Sequence, residues 1–105
     1  MKLNQREINE ACDNYYFAAL YQVENERPRW KQLRRCSADV AETSDYYLLR
    51  SYATIVAVVS KDSGDCFDVL RRVYEYTATS AQHIAKFSNG YGNGKRYMWR
   101  NIPNR

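Results

Sequence analysis

The chain has 105 residues, of which 45% are hydrophobic and 27% are charged, with only four Gly and two Pro. These values are typical of one small globular domain spanning residues 1–105, and they exclude a disordered or fibrous chain. A formal net charge of +4 at pH 7 is compatible with nucleic acid, with the acidic face of a protein partner, or with neither.

We expect neither a membrane-spanning segment nor a secretory signal. The longest apolar run, residues 53–59, is interrupted by Thr54 and is far shorter than the ~20 residues of a membrane-spanning helix. The N-terminal stretch carries charges throughout and has no apolar region of a secretory signal. We therefore expect no membrane partner and a location in the cytoplasm of a bacterial host cell.

The three cysteines, Cys12, Cys36 and Cys66, are widely separated and include no Cys-x-x-Cys pair. In a reducing compartment we expect them to be small, buried, apolar side chains. A zinc site completed by His83 is the alternative, although structural zinc sites usually draw their ligands in closely spaced pairs. We predict no metal and no cofactor.

The N-terminal part, residues 1–45, is predicted to be helical. From residue 3 to about residue 24, apolar side chains recur at three- and four-residue steps, which predicts an amphipathic helix lying on a sheet or another helix. An interaction helix offered to a partner is the alternative. Pro28 ends this helix. Between Trp30 and Val40, Leu33 and Cys36 or Ser37 at helical steps favour a short second helix.

The densest basic cluster of the first half lies in this second segment. It consists of Arg29, Lys31, Arg34 and Arg35. Such a run is usually a solvated face, so it is not part of the predicted site.

Two strands are predicted after residue 45. Tyr46–Arg50 and Ala53–Ser60 are rich in Tyr, Leu, Ile and Val, and a tight turn at Ser51-Tyr52 joins them. The second strand is apolar on both faces, so we expect it to be central and covered by a helix on at least one side. Gly64 marks the next turn.

Residues 66–76 fit two structures. Apolar residues at helical steps, such as Cys66, Val69 and Val73, fit a helix. The β-branched and aromatic ending of the segment favours a strand, which is our prediction.

A short helix is predicted in the C-terminal half of the chain, from Ser80 to Phe87. Thr79-x-x-Gln82 fits a capping box at its start, and Ser88-Asn89-Gly90 stops it. Free amides at this start would also suit an anion, although any capped helix has the same residues.

A final strand at residues 95–102 would lie at a sheet edge and would allow a homodimer. The predicted fold is therefore α+β. A three- or four-stranded antiparallel sheet carries the N-terminal helix and the Ser80–Phe87 helix on one face.

No catalytic constellation is visible, because nothing in the sequence supplies His83 with a nucleophile or carboxylate. We predict a protein that is not an enzyme. Basic residues interleaved with aromatics suit base stacking and phosphate neutralisation, and they equally suit protein–protein hot spots. The sequence does not decide between a nucleic-acid and a protein partner. It also leaves open whether Tyr97 and Trp99 lie in the core. The predicted partner- or nucleic-acid-binding residues are Arg50, Tyr52, Arg71, Arg72, His83, Lys86, Lys95, Arg96, Tyr97, Trp99 and Arg100.

Two stretches form a recognisable module: Arg50-Ser51-Tyr52-x-Thr54-x-Val56-Ala57 and Tyr76-x-x-Thr79-Ser80-x-Gln82-His83-Ile84-x-Lys86-Phe87. In this module, which covers under half of the chain, the sequence resembles a family of small, mostly uncharacterised proteins of gut Firmicutes, their phages and mobile elements.

The resemblance implies an accessory protein of a phage or mobile element. Anti-defence proteins such as anti-CRISPR inhibitors are common in that group and act by stoichiometric binding to a nuclease or nucleoprotein. Most of them are acidic, whereas this chain is basic, so we expect it to contact guide RNA or an acidic protein surface. The alternative is a basic nucleic-acid-binding regulator.

Overall fold

The structure is a computed structural model that describes residues 3–33, 36–75 and 77–102. The elements in chain order are α1 (Gln5–Glu26), β1 (Trp30–Gln32), β2 (Ala38–Glu42), β3 (Tyr46–Ser51), β4 (Thr54–Ser60), β5 (Cys66–Asp68), α2 (Leu70–Val73), α3 (Ala78–Tyr91) and β6 (Arg96–Met98). No helix among these residues is long and apolar enough to cross a membrane.

The strands of the described residues form one six-stranded sheet whose spatial order, β1 to β6, follows the chain. Neighbouring strands are antiparallel except β5 and β6, which run parallel because α2 and α3 intervene between them. The predicted α+β class is confirmed. The sheet has more strands than predicted and is mixed rather than antiparallel throughout.

The two long helices pack on opposite faces of this sheet. One cluster joins α1 to the sheet through Cys12, Tyr16, Ala19, Leu48 and Val58, and a second joins α3 to it through Ile84, Phe87, Leu49 and Val59. Leu48 and Leu49 are successive residues of β3, so their side chains point to opposite faces. The prediction of both helices on one face is wrong, because the two-sided apolar character of β4 provides a separate surface for each helix.

The predicted β3–β4 hairpin is confirmed, with Tyr52 in its turn at a left-handed φ of 59°. Leu49 pairs with Ala57 and Arg50 with Ile55, so Val56 is an extra residue that forms a β-bulge. Strand β4 is interior and receives α1 on one face and α3 on the other. Its predicted central position is confirmed.

Helix α1 agrees with its prediction because both of its ends are specified locally. The Asn4 side chain accepts a hydrogen bond from the Glu7 amide at 2.8 Å, and the Glu7 carboxylate accepts one from the Asn4 amide at 3.0 Å. At the other end Arg27 adopts a left-handed φ of 49°, and Pro28 follows it. The helix therefore stops where the sequence predicts.

The second helix predicted within residues 30–40 is wrong. Trp30 to Gln32 and Ala38 to Glu42 are paired strands, so the segment 1–45 is helical only in α1. The helical spacing of Leu33 and Cys36 is overridden because β2 pairs along its whole length with β3, which buries Val40 and Ala41. Arg34 and Arg35 lie outside the described residues.

The strand predicted over residues 66–76 is correct only for its first three residues. After Asp68 the chain turns into the short helix α2, because the Asp68 carboxylate accepts a hydrogen bond from the Leu70 amide at 3.0 Å. This bond holds the first helical amide in place. Tyr76 lies outside the described residues.

Helix α3 starts earlier and ends later than the predicted Ser80–Phe87 helix. Its N-cap is Thr77, whose hydroxyl accepts from the Ser80 amide at 3.1 Å, so the capping box predicted at Thr79 and Gln82 is not formed. The helix continues through Ser88-Asn89-Gly90 to Tyr91. This last turn is retained because Ser88 is buried and the Tyr91 ring packs 5.7 Å from that of Phe87.

Candidate functional site

The predicted site residues are distributed over several parts of the fold. Arg50 and Tyr52 lie at the end of β3 and in the turn that follows it, and His83 and Lys86 lie on α3. Arg71 and Arg72 belong to α2, and the remaining five residues lie in or beside β6 at the opposite edge of the sheet from β1. The structure therefore does not bring them together on one surface.

Arg50 lies on the α1 face of the sheet, close to the β1 edge. Its guanidinium contacts the Asp39 carboxylate at 3.1 Å and lies 4.2 Å from the ring centroid of Trp30. About one-third of each charged side chain remains exposed, so this ion pair contributes little to stability. Its stacking on Trp30 places a cation beside the first strand.

His83 is buried rather than presented to a partner, with 5% of its surface exposed. Its Nδ1 lies 2.9 Å from the Ser51 hydroxyl, which in turn lies 2.9 Å from the hydroxyl of Ser80. Burial first, and then the nearby Lys86, lower the pKa of His83. A Ser–His contact of this length suits nucleophilic catalysis, but here both serines are buried, and the three side chains tie β3 to α3.

Tyr52 is exposed above this buried cluster. Its ring lies 6.1 Å from that of His83, and its amide donates to the Ser37 carbonyl at 3.1 Å. The turn is thereby fixed to the β1–β2 connection, while the ring itself remains open to contact.

The two arginines of α2 point to different sides. Arg72 donates to the Asp13 carboxylate at 2.7 Å and lies over the exposed Phe17 ring at 5.6 Å. Arg71 donates to the Met98 sulfur at 2.9 Å and reaches a pocket beside α3. Only Arg71 therefore contributes to a concave surface.

This α3–β6 pocket has a volume of about 360 Å³ and brings together Arg71 and Arg96. Its other lining residues are Asp68, Met98, Gln82 and three alanines of α3, namely Ala78, Ala81 and Ala85. Asp68 is only 3% exposed, and burial raises the pKa of its carboxyl against the opposing effects of the Leu70 amide and three arginines. The buried carboxylate offsets part of the positive charge, so the pocket is not a simple anion site.

Tyr97 and Trp99 pack toward the core. The Tyr97 ring stacks on Phe67 at 5.6 Å, and both aromatic residues join the apolar cluster beneath α1. Lys95 lies 5.2 Å from the Tyr97 ring, and the main chain of Arg100 exchanges hydrogen bonds with the Asn9 side chain at 2.7 and 3.0 Å. The C-terminal strand is thus docked on α1, and the side chains of Tyr97 and Trp99 are half-buried.

A groove that the sequence did not predict lies between β1 and the C-terminal half of α3. We name it the β1–α3 groove. One section, of about 290 Å³, is lined by Pro28, Arg29, Lys31, Val40, Glu42, Tyr47 and Tyr91. An adjoining section of about 360 Å³ is lined by Gln32, Leu33, Lys86, Gly90 and Tyr91. The groove lies beside the contact of α3 with β3 and β4, toward the edge of the sheet formed by β1 and β2.

The β1–α3 groove has an aromatic centre and a basic rim. The rings of Tyr47 and Tyr91 lie 5.1 Å apart, and Lys61 lies 5.2 Å from the Tyr47 ring. Lys61 is paired with the one carboxylate of the lining, Glu42, at 2.5 Å. The opposite charges of Lys61 and Glu42 offset each other. The cations Arg29, Lys31 and Lys86 therefore make the groove basic.

Sequence reasoning identified only part of this groove. Lys86 was a predicted site residue, and Arg29 and Lys31 belong to the basic cluster that was interpreted as a solvated face. Tyr47 was assigned to a strand without a function, and Tyr91 lay beyond the predicted end of the second helix. Their common location depends on the pairing of β1 with β2, which the sequence did not reveal.

Comparison with known proteins adds no further assignment: no protein-family model, curated protein or solved structure matches the chain. Within residues 3–33, 36–75 and 77–102, no three His, Cys, Asp or Glu side chains converge as a metal site. Cys12 and Cys66 are buried as free thiols, and the half-buried Cys36 accepts a hydrogen bond from Lys86 at 3.3 Å.

Proposed function

We propose that this chain is a non-enzymatic binding protein that inhibits a nuclease or nucleoprotein by stoichiometric binding. In its most specific form, it is an anti-defence protein of the anti-CRISPR type, of phage or mobile-element origin. The observation that carries the proposal is the β1–α3 groove, a concavity lined by the exposed Tyr91, the half-buried Tyr47 and the cations Arg29, Lys31 and Lys86. The module around Tyr52 and His83 resembles small proteins of phages and mobile elements, and this resemblance supports an anti-defence role.

The groove is suited to a protein partner because its aromatic anchors are already held in position. Tyr91 is 39% exposed, and its ring is supported by both Tyr47 and Phe87. A ring fixed in this way loses little conformational freedom when a partner covers it, which favours affinity. Tyrosine and arginine are also residue types over-represented among interface hot spots.

The basic charge of the groove indicates which partner surface would be complementary to it. Arg29, Lys31 and Lys86 line the groove of a chain whose net charge is already +4. Complementary potentials accelerate association and penalise partners of the same sign. An acidic protein surface would complement this charge, and it is one of the contacts, beside guide RNA, that the basic character of the chain left open.

Capture from a bacterial host lysate, with and without nuclease treatment, tests the proposal. Immobilised wild-type protein should retain an acidic protein under both conditions. The double variant Lys31→Glu, Tyr91→Ala should lose it. Tyr21→Ala is the matched control, because Tyr21 is an exposed tyrosine of α1 away from the groove. Retention of the same proteins by the double variant would contradict a role for the groove.

A basic nucleic-acid-binding regulator is the second candidate. It is supported by the position of Tyr91, an exposed ring shared by the two groove sections that hold Lys31 and Lys86. Bases stack on such rings while lysines neutralise phosphates, and binding of this kind weakens steeply with salt. This candidate predicts that nuclease treatment abolishes capture. The lack of a gel shift at low salt would remove it.

A further inference from the structure

We infer that the partner is held by strand addition: an extended acidic segment of a protein pairs with the free edge of β1, beside the β1–α3 groove. This inference rests on the proposed function and specifies the kind of contact it uses. Three observations support it, namely the direction of the β1 backbone groups, the cations beside the strand, and the position of β1 in the sheet.

The hydrogen-bonding pattern shows which backbone groups of β1 are free. Leu33 donates to the carbonyl of Ala38, which lies directly opposite it, at 2.8 Å. Bonded and non-bonded pairs alternate along an antiparallel ladder. Lys31 is therefore bonded toward β2, whereas the N–H and C=O groups of Trp30 and Gln32 point away from it.

No described strand occupies that side, because β1 is the first strand in the sheet order. Two backbone donors and two acceptors thus face outward at the edge. An extended peptide that pairs with these four groups gains main-chain hydrogen bonds, and its alternate side chains select the sequence. The strand is short, so affinity must also come from neighbouring side chains.

The side chains that flank β1 select for acidic residues. Arg29 and Lys31 line the groove on the α3 side, and the Arg50 guanidinium lies over Trp30 on the α1 side. Successive side chains of an added strand point to alternate faces. Aspartate or glutamate in that strand would therefore meet Arg29 or Lys31 on the α3 face, whereas on the α1 face Asp39 offsets the charge of Arg50.

The same cations disfavour a second copy of this chain at the edge. Two antiparallel β1 strands would bring like charges of Lys31 and Arg29 close together across the pair, and like charges across a pair are destabilising. Lysine and nearby proline are features by which edge strands avoid self-association, and Pro28 precedes β1. The occupant is therefore an acidic segment of a different protein.

Position 32 allows the edge hydrogen bonds to be tested separately from the side chain. Gln32→Pro removes the outward N–H and leaves the bonds between β1 and β2 intact, since proline is tolerated where an edge N–H faces solvent. It also removes the hydrogen bond from the Gln32 amide group to the Cys36 carbonyl. Gln32→Ala loses that same bond and keeps the N–H, so it is the matched control.

The probe is a fluorescein-labelled decapeptide in which aspartate alternates with valine, with a second peptide carrying lysine in place of aspartate. Binding is followed by fluorescence anisotropy at low salt. We expect wild type and Gln32→Ala to bind the acidic peptide, Gln32→Pro to bind it about tenfold more weakly, and none to bind the basic peptide. Equal binding by the alanine and proline variants, or no binding of the acidic peptide to wild type, would overturn strand addition.

Amide hydrogen exchange on the wild-type protein provides a test that needs no variant. The amides of Trp30 and Gln32 should become protected when the acidic peptide is added, whereas the Lys31 amide, already bonded to β2, should change little. Protection confined to other regions would overturn the inference. If the wild-type protein forms a dimer that Gln32→Pro dissociates, the edge binds a second copy of the chain. If single-stranded DNA displaces the peptide equally from all variants, the groove binds nucleic acid. Either result would overturn strand addition by an acidic protein segment.

Failure of strand addition and failure of the proposed function give different results. If the groove variant Lys31→Glu, Tyr91→Ala loses the captured partner while Gln32→Pro retains it, the binding function stands and the edge is not used. If neither variant affects capture, the proposed use of the groove fails as well.

Discussion

The ring of Tyr91, at the last turn of α3, lies 5.1 Å from the ring of Tyr47 in β3. This contact closes the centre of the β1–α3 groove and joins its helical wall to its floor. Since Phe87 supports Tyr91 from within the helix, the position of the groove follows from the way α3 ends.

Replacement of Tyr91 by alanine should separate binding from folding. The ring is partly exposed, so we expect a loss of about 1 kcal/mol in the free energy of unfolding, in the range of a single aromatic pair. Partner capture should fall at least tenfold, because the anchor of the groove is gone. Urea unfolding and quantitative capture measure the two effects. Full binding by Tyr91→Ala would show that the groove is not the contact surface.

The start of α3 provides a test of the structure that is independent of function. Thr77 is the N-cap and accepts from the Ser80 amide, whereas Thr79 lies inside the first turn. Thr77→Ala should therefore lower the free energy of unfolding by about 1 kcal/mol, and Thr79→Ala should change it by less than half as much. The two threonines serve as mutual controls in urea unfolding. A larger effect at Thr79 would favour the capping box that the sequence suggested.

The buried His83 should make stability depend on pH. Burial and Lys86 lower its pKa below the ordinary histidine value of 6.5, so the folded state favours the neutral ring. The corresponding stabilisation is fully present above the unfolded pKa and is lost as the pH falls below 6.5 toward the lower folded pKa. Wild type should unfold at lower urea concentration at pH 5.5 than at pH 7.5.

His83→Asn is the control for that measurement. It removes the titrating group, so the difference between the two pH values should shrink. It should also cost about 1–3 kcal/mol at pH 7.5, because the Ser51–Ser80 cluster loses a buried hydrogen-bond partner. An unchanged pH dependence in this variant would assign the effect to other groups.

Thiol reactivity should distinguish the three cysteines. Burial first, with smaller contributions from nearby acids, raises the pKa of Cys12 and of Cys66 to about 12. Since the thiolate is the reactive form, neither should react with a disulfide reagent in the folded protein at pH 8. Half-buried Cys36 should react first, and Cys36→Ser should remove that phase. Rapid reaction of Cys12 or Cys66 before unfolding would contradict the packing on both faces of the sheet.

The elements that the sequence predicted are those specified by local signals. Helix α1 has a capping box and a terminating Pro28, and the β3–β4 hairpin has long β-branched and aromatic runs. Strand β1 has only three residues and β2 only five, so their structure comes from strand pairing rather than from local propensity. The apolar pattern of β4 predicted burial, but it could not specify which helix covers which face.

The site was less predictable than the fold for a similar reason. Tyr97 and Trp99 are two residues apart and so lie on one side of a strand, yet only the packing of this side against Phe67 and α1 shows that it faces the core. His83 is among the residues predicted to bind a partner, but the fold buries it against Ser51 of another element. The groove required Tyr47 and Tyr91 to meet across the fold, and no spacing in the sequence encodes that contact.

Titration of a guide-loaded type II CRISPR nuclease with the purified protein, read as cleavage of target DNA, tests the central proposal most directly. We expect cleavage to disappear near equimolar protein, to persist with the Lys31→Glu, Tyr91→Ala variant, and to disappear again with the Tyr21→Ala control. Full cleavage at several-fold excess of protein would contradict the anti-CRISPR form. Complete inhibition far below equimolar protein would contradict stoichiometric binding and indicate an enzyme.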